Sequence, residues 1–170
     1  MLWNLREGES LLVGDRAAGS FTLERTPAAD DLWLIGTGTG LAPYIAMLRT
    51  PQVWLRHRRI VLVHGVRQGA DLAYRDELTS LMQVRPDEFT YVPTTSRDSS
   101  AGTLVGRIPD LLSSGALEDR AGAKISPQRS AVMLCGNPAM LDDMERQLEQ
   151  QGLQRHRSKR PGQIVVERYW

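Results

Sequence analysis

The stretch DLWLIGTGTGLAPYIAML, Asp31 to Leu48, decides the fold class. A short apolar strand, Leu32 to Ile35, runs into Gly36-Thr37-Gly38-Thr39-Gly40 and then, past Leu41 and Pro43, into an apolar helix predicted over Pro43 to Leu48. Glycines let the backbone turn sharply and approach an anion closely. The free N–H groups and positive dipole end of the following helix stabilise negative charge. Pro43 suits a first helical turn, where its missing N–H costs nothing. Strand, small-residue turn and helix form a phosphate-binding arrangement. The spacing is neither the dinucleotide G-x-G-x-x-G nor the Gly-Lys-Ser/Thr of a phosphate loop, so other segments must decide the ligand.

Outward from this stretch, strand and helix signals alternate. Apolar runs at Ile60-Val63, Phe89-Val92, Val132-Leu134 and Ile164-Val166 read as further strands, and Leu72-Gln83, Ile108-Ser113 and Ala139-Gln151 carry helical spacing. β-branched runs separated by amphipathic helices predict an α/β fold: a Rossmann-like open parallel sheet of about five strands with helices on both faces. Ligands of such sheets bind beyond the carboxyl ends of the strands. The turns GTGTG, HGVR, TTSRD and CGNP all fall at those ends. Glu9-Val13 and Ser20-Leu23 read instead as two extended pieces joined by the Gly14-Gly19 turn, a hairpin with no helix after it.

At 170 residues, 41% hydrophobic and with a net charge of +1, the chain is long enough to bury a full core. It has no apolar run of about 18 residues for a membrane span. The charges Arg6, Glu7 and Glu9 stand where a signal peptide needs an apolar centre, so a cytoplasmic protein is expected. One cysteine excludes an internal disulfide and is too few for a zinc site, and no metal is expected. The nearly balanced charges lack the basic surface of a nucleic-acid binder. The cluster Arg155 to Arg160 reads as a solvated face, with a docking site for an acidic partner as the alternative.

Five segments occur in order: GTGTGLAPY (Gly36 to Tyr44), VLVHGVR (Val61 to Arg67), TTSRD (Thr94 to Asp98), AGTLVGRIPDLL (Ala101 to Leu112) and LCGNPAM (Leu134 to Met140). With the closing VERYW they resemble the nicotinamide-binding half of the ferredoxin-NADP reductase family, in the bacterial branch that also uses flavodoxin. The resemblance covers nearly the whole chain. It implies NADP(H) in this domain, FAD in a neighbouring antiparallel barrel, and ferredoxin or flavodoxin as electron-transfer partner. By the same resemblance residues 1–24 are the end of that barrel and residues 25–170 the NADP(H)-binding domain, the chain beginning inside the flavin domain.

Arginine forks bind phosphate in a bidentate way, and the ribose 2′-phosphate is what distinguishes NADP from NAD. Arg67, Arg97 and Arg107 follow strands, and the resemblance sets all three around the adenosine phosphate, with Ser96 adding a hydroxyl beside Arg97. Each alone also reads as a surface arginine. Cys135, at the end of an apolar strand and ahead of Gly136-Asn137-Pro138, reads from composition as a small buried hydrophobe. The resemblance makes it a residue that orients the nicotinamide ring, with Glu167 as a carboxylate near that ring. It also implies that Tyr169 covers the flavin face and Trp170 reaches toward the FAD adenine; a strand end packing its aromatics on the core is the alternative. His64 reads as a satisfied histidine at a strand end, and Asp142 and Asp143 as charges complementing a helix dipole. A reductase module of an oxygenase or flavohaemoglobin and a non-enzymatic nucleotide sensor are the competing readings.

Overall fold

In the computed structural model, which describes residues 4–16 and 19–168, six strands lie parallel in one sheet. They are β1 (Asp31–Thr37), β2 (Arg59–Val66), β3 (Phe89–Thr95), β4 (Leu104–Val105), β5 (Ser130–Cys135) and β6 (Ile164–Glu167). Their order across the sheet is β4-β3-β2-β1-β5-β6. From β1 the chain builds outward through β2, β3 and β4, then returns to lay β5 and β6 on the other side. The order therefore reverses between β1 and β5, and open α/β sheets bind ligands at such a point.

Both faces are covered. Leu41, Tyr44, Ile45 and Leu48 in and just before α1 (Ala42–Leu48), Val53 of α2 (Pro51–Arg56) and Leu78 of α3 (Arg75–Val84) pack on Leu32, Leu34, Ile60 and Leu62. On the opposite face α4 (Ile108–Ser113), α5 (Ala116–Ala121) and α6 (Pro138–Gln150) pack on Trp33, Ile35, Val61, Val63 and Val132. Successive strand residues thus face different helical layers, and all of Leu32 to Ile35 is buried. This is why the strands read as unbroken apolar runs. Trp33 is wholly enclosed, and truncation of so large a buried side chain costs about 3–5 kcal/mol.

Four expectations need correcting. The helix expected from Leu72 starts at Arg75, because Gly69–Asp71 forms a 3-10 turn closed by reciprocal Gln68 and Asp71 bonds, and Tyr74 adopts a left-handed φ of 58°. The two-residue β4 adds a sixth strand. The short helices α2 and α5 were too brief to show a period. The hairpin does not form within the described residues: Glu9 to Val13 carries no strand, and Leu23–Arg25 is a 3-10 turn. Two extended pieces with no third strand gain too little burial to hold a ladder. Leu11, Leu12 and Val13 are 55%, 102% and 78% exposed. Leu23, by contrast, is buried with the α1 layer, and the Phe21 ring lies 6.0 Å from that of Tyr44.

Candidate nucleotide-binding site

Two glycine turns separated by about a hundred residues meet at the point of reversal. A Cβ on Gly40 would overlap the Cys135 carbonyl, and one on Gly36 would sit 2.9 Å from the Tyr44 ring. Gly136, at φ +137°, has Thr37 where its side chain would be. The Asn137 amide donates to Thr37 Oγ1 at 2.8 Å, fastening the β5 turn to the β1 turn. Below them the Tyr44 hydroxyl lies 3.0 Å from the Ile35 carbonyl and 2.8 Å from that of Met133, bridging both strands. Pro43 opens α1, and no side chain among the described residues caps the 3-10 turn Gly38–Leu41 that leads into it. Its leading amides are left for a ligand, the arrangement that suits an anion.

Strand register sets Thr37, Gly65 and Thr94 abreast across β1, β2 and β3. They form one wall of a cleft of about 510 Å³, closed by Ile108 and Pro109 of α4 and Met140 of α6. Gly65 has no space to spare: a Cβ there would stand 2.8 Å from Ile108 Cδ1 and 3.1 Å from Thr37 Cγ2. Gly38, Thr39 and Asn137 line the cleft beside the switch point, and Arg67, Ser96 and Arg107 line it further along. Asn137 Oδ1 also accepts from the Ala139 and Met140 amides at 3.0 and 3.3 Å, capping α6. A wall of small residues faced by Ile108, Pro109 and Met140, a glycine turn with open amides and guanidinium groups along the cleft fit the rings, phosphates and ribose of a nicotinamide dinucleotide.

The arginines differ in their surroundings. Arg107 Nη2 is 3.7 Å from Asp143 Oδ2, and Asp143 also pairs with Arg146. Among the described residues no carboxylate lies within ion-pair distance of Arg67 or Arg97. Arg97 is exposed next to Ser96, outside the cleft lining, and its amide donates to the Arg67 carbonyl at 2.9 Å. Asp142 and Asp143 do more than face a helix dipole: Asp142 pairs with Arg168 at 2.7 Å, and that guanidinium reaches Glu145 as well.

Cys135 and Glu167 sit opposite each other at the ends of β5 and β6, outside the cleft. The Cys135 side chain is enclosed in the α1 layer. His64 is buried among that layer's strand residues, with Nδ1 3.4 Å from the Tyr91 hydroxyl. Burial pushes its pKa down to about 4 and that of Tyr91 up to about 12, so both are neutral near pH 7. Tyr169 and Trp170 lie outside the described residues. Gly65, Thr94 and Met140 were not singled out as contacts by sequence. Their signal was positional, since Gly65 and Thr94 are small residues at strand ends.

A parallel sheet whose glycine turns meet at the switch point above an arginine-lined cleft defines a nucleotide-binding α/β domain. The family model for the oxidoreductase NAD-binding domain matches residues 34–146. The flavodoxin/ferredoxin-NADP reductase of Escherichia coli is 37% identical over 98% of this chain and 67% of its own length. That of Buchnera aphidicola from Schizaphis graminum is 35% identical over 100% of this chain and 66% of its own. Among solved structures, a ferredoxin NADP+ reductase from Neisseria gonorrhoeae with bound FAD and NADP superposes with a TM-score of 0.84 at 35% identity, over 89% of this chain and 61% of that one. The chain belongs to the ferredoxin/flavodoxin-NADP reductase family, as its oxidoreductase NAD-binding domain. It spans about two thirds of the length of the curated relatives it matches.

Proposed function

We propose that this chain binds NADP(H) for a flavin-dependent reductase that exchanges electrons with a ferredoxin or flavodoxin. The observation that carries the reading is the junction of the Gly36–Gly40 and Gly136-Asn137 turns at the switch point, opening on a cleft lined by Arg67, Ser96 and Arg107. In this reading Gly36 to Gly40, with Leu41 and Pro43 holding the start of α1, receive the pyrophosphate. Ser96, Arg97, Arg67 and Arg107 take the 2′-phosphate end. Gly136, Asn137 and Pro138 shape the passage to the nicotinamide, with Cys135 and Glu167 flanking the ring. The nucleotide supplies a hydride, and FAD on a neighbouring domain converts the pair into single electrons. The protein's part is to align the rings and keep water out. Residues 1–24 are assigned to the flavin side, and Tyr169 and Trp170 to covering the flavin until nicotinamide arrives. Support comes from the relatives' names, the flavin and nucleotide bound in the Neisseria enzyme, and the lack of any carboxylate within ion-pair distance of Arg67 and Arg97 among the described residues.

Calorimetric titration with NADP+ and NAD+ tests the reading, with tighter binding of NADP+ expected. Arg97→Ala should remove one charge-assisted phosphate contact, about 1.5–3 kcal/mol or roughly ten- to a hundredfold in NADP+ affinity, and leave NAD+ binding unchanged. Equal affinities in the unaltered chain, or equal loss for both nucleotides in the variant, would favour an NADH-using oxygenase-type module.

A further inference from the structure

Arg67 and Arg97 stand on different loops, one after β2 and the other after β3, yet a single phosphate can be gripped only if the two keep a fixed spacing. Backbone bonds join the loops at their bases, Ser96 N to the Val66 carbonyl at 3.1 Å and Arg97 N to that of Arg67 at 2.9 Å. Further out the link is one carboxylate. Asp98 Oδ2 accepts from the Gly69 amide at 2.9 Å and faces the Ser100 hydroxyl at 3.5 Å. The Asp98 backbone is held in turn, its carbonyl accepting from Thr95 Oγ1 at 2.7 Å, and Thr95 meets Thr103 at 3.1 Å. Gly69 fits this clasp closely, for a Cβ there would overlap the Ser100 side chain.

The carboxylate is held at a cost. Its other oxygen, Asp98 Oδ1, is buried with no hydrogen-bond partner among the described residues. An acid two residues from a phosphate-binding serine also adds repulsion toward any anion there. A neutral loop residue would avoid both penalties, so the fold gains something specific from an acceptor at this position.

We propose that Asp98 is a positioning residue for nucleotide discrimination: by clasping Gly69 it locks the Arg67 loop to the Ser96-Arg97 loop and so fixes the gap that receives the ribose 2′-phosphate. The inference rests on the NADP reading above and adds a residue that touches no ligand.

Adenosine 2′,5′-bisphosphate and 5′-AMP are the probes, since they differ only in that phosphate, and calorimetry on the 170-residue chain is the measurement. Asp98→Ala should weaken the bisphosphate roughly fivefold, the size of one lost positioning contact, and AMP less than twofold. Asp98→Asn, which keeps an oxygen for the Gly69 amide, should restore the preference to within about twofold of the parent. Should Asp98→Ala not fold, Gly69→Ala carries the same test, since it leaves Asp98 in place and wedges Ser100 away; it too should lose the bisphosphate selectively. Equal weakening of both probes, no weakening, or an Asn variant that behaves like Ala overturns the role of Asp98. A parent chain that does not prefer the bisphosphate overturns the NADP reading and the clasp with it, whereas an Arg97→Ala variant that keeps the preference overturns the clasp, whose gap needs Arg97. Loss in Arg97→Ala without loss in Asp98→Ala overturns the clasp alone.

Discussion

His64 lies two residues before the end of β2, a strand that runs to the cleft, yet it is enclosed in the α1 layer beside the Tyr91 hydroxyl. Register explains this. Residues 61 and 63 face α4 to α6 while 60 and 62 face α1 to α3, so 64 follows the second set and Gly65 the first. A histidine next to a glycine at a strand end thus becomes a core group while the glycine forms the cleft wall. Burial lowers the folded-state pKa of His64 from 6.5 to about 4. The unfolded chain therefore binds more protons than the folded one between those values. Stability from keeping this ring neutral is present above pH 6.5 and is lost as pH falls toward 4. His57, lowered first by burial and partly opposed by its bond to the Ala29 carbonyl, acts in the same direction. Urea unfolding at about pH 7 and pH 4.5 should show His64→Asn losing less stability on acidification than the parent, by about 1–2 kcal/mol. Parallel losses in the two proteins would show that His64 does not contribute to the acid sensitivity.

The start of α6 serves two purposes. Asn137 caps the helix through two amides while its own amide holds Thr37 of the β1 turn. Asn137→Ala should lower stability by about 1 kcal/mol, the usual cost of an N-cap. Replacement by Asp, which preserves the cap but adds a negative charge to the cleft lining, should keep the stability and weaken nucleotide binding; thermal melts and titrations on both variants separate the two. The sequence showed α6 by its apolar period and the five longer strands as apolar runs, because each carries enough buried positions. It did not show β4, whose two residues owe their pairing to the Thr94-Thr95 strand end, nor α5, a six-residue helix begun by Gly115 and closed by Gly122, both left-handed. The glycine turns were legible because their chemistry is local, while Arg67 and Arg107, each of which alone also reads as a surface arginine, were singled out through the family resemblance. The Asp98 clasp was not, since an acid in a serine-rich loop looks like any turn residue until Gly69 is seen beneath it. The hairpin expected over residues 9–23 is not formed by the described residues, since its first piece, Glu9 to Val13, is exposed and carries no strand.

At the scale of the molecule the described residues form one sheet between two helical layers, with an unequal beginning. Residues 4–13 add nothing to either apolar layer, while Phe21 and Leu23 lie on Tyr44 and the α1 layer. Among the described residues, packing on this domain's apolar layers begins at Phe21, while the resemblance suggests a boundary at 24. Stability should follow packing rather than that boundary. Removing residues 1–16 should leave the melting temperature within about 2 °C, since residues 4–16 are exposed and exposed positions contribute little. Extending the deletion through residue 24 takes away a buried leucine and a ring contact, about 2–4 kcal/mol together, and at this chain length should lower the melting temperature by about 5–10 °C. Calorimetric scans of the two truncations against the parent give the comparison. A large drop on the first deletion would mean that Leu11 to Val13 find cover on this domain in solution. A negligible drop on the second would mean that Phe21 and Leu23 rest on the surface without supporting it, and the resemblance-based boundary would then describe the folding unit better than the packing does.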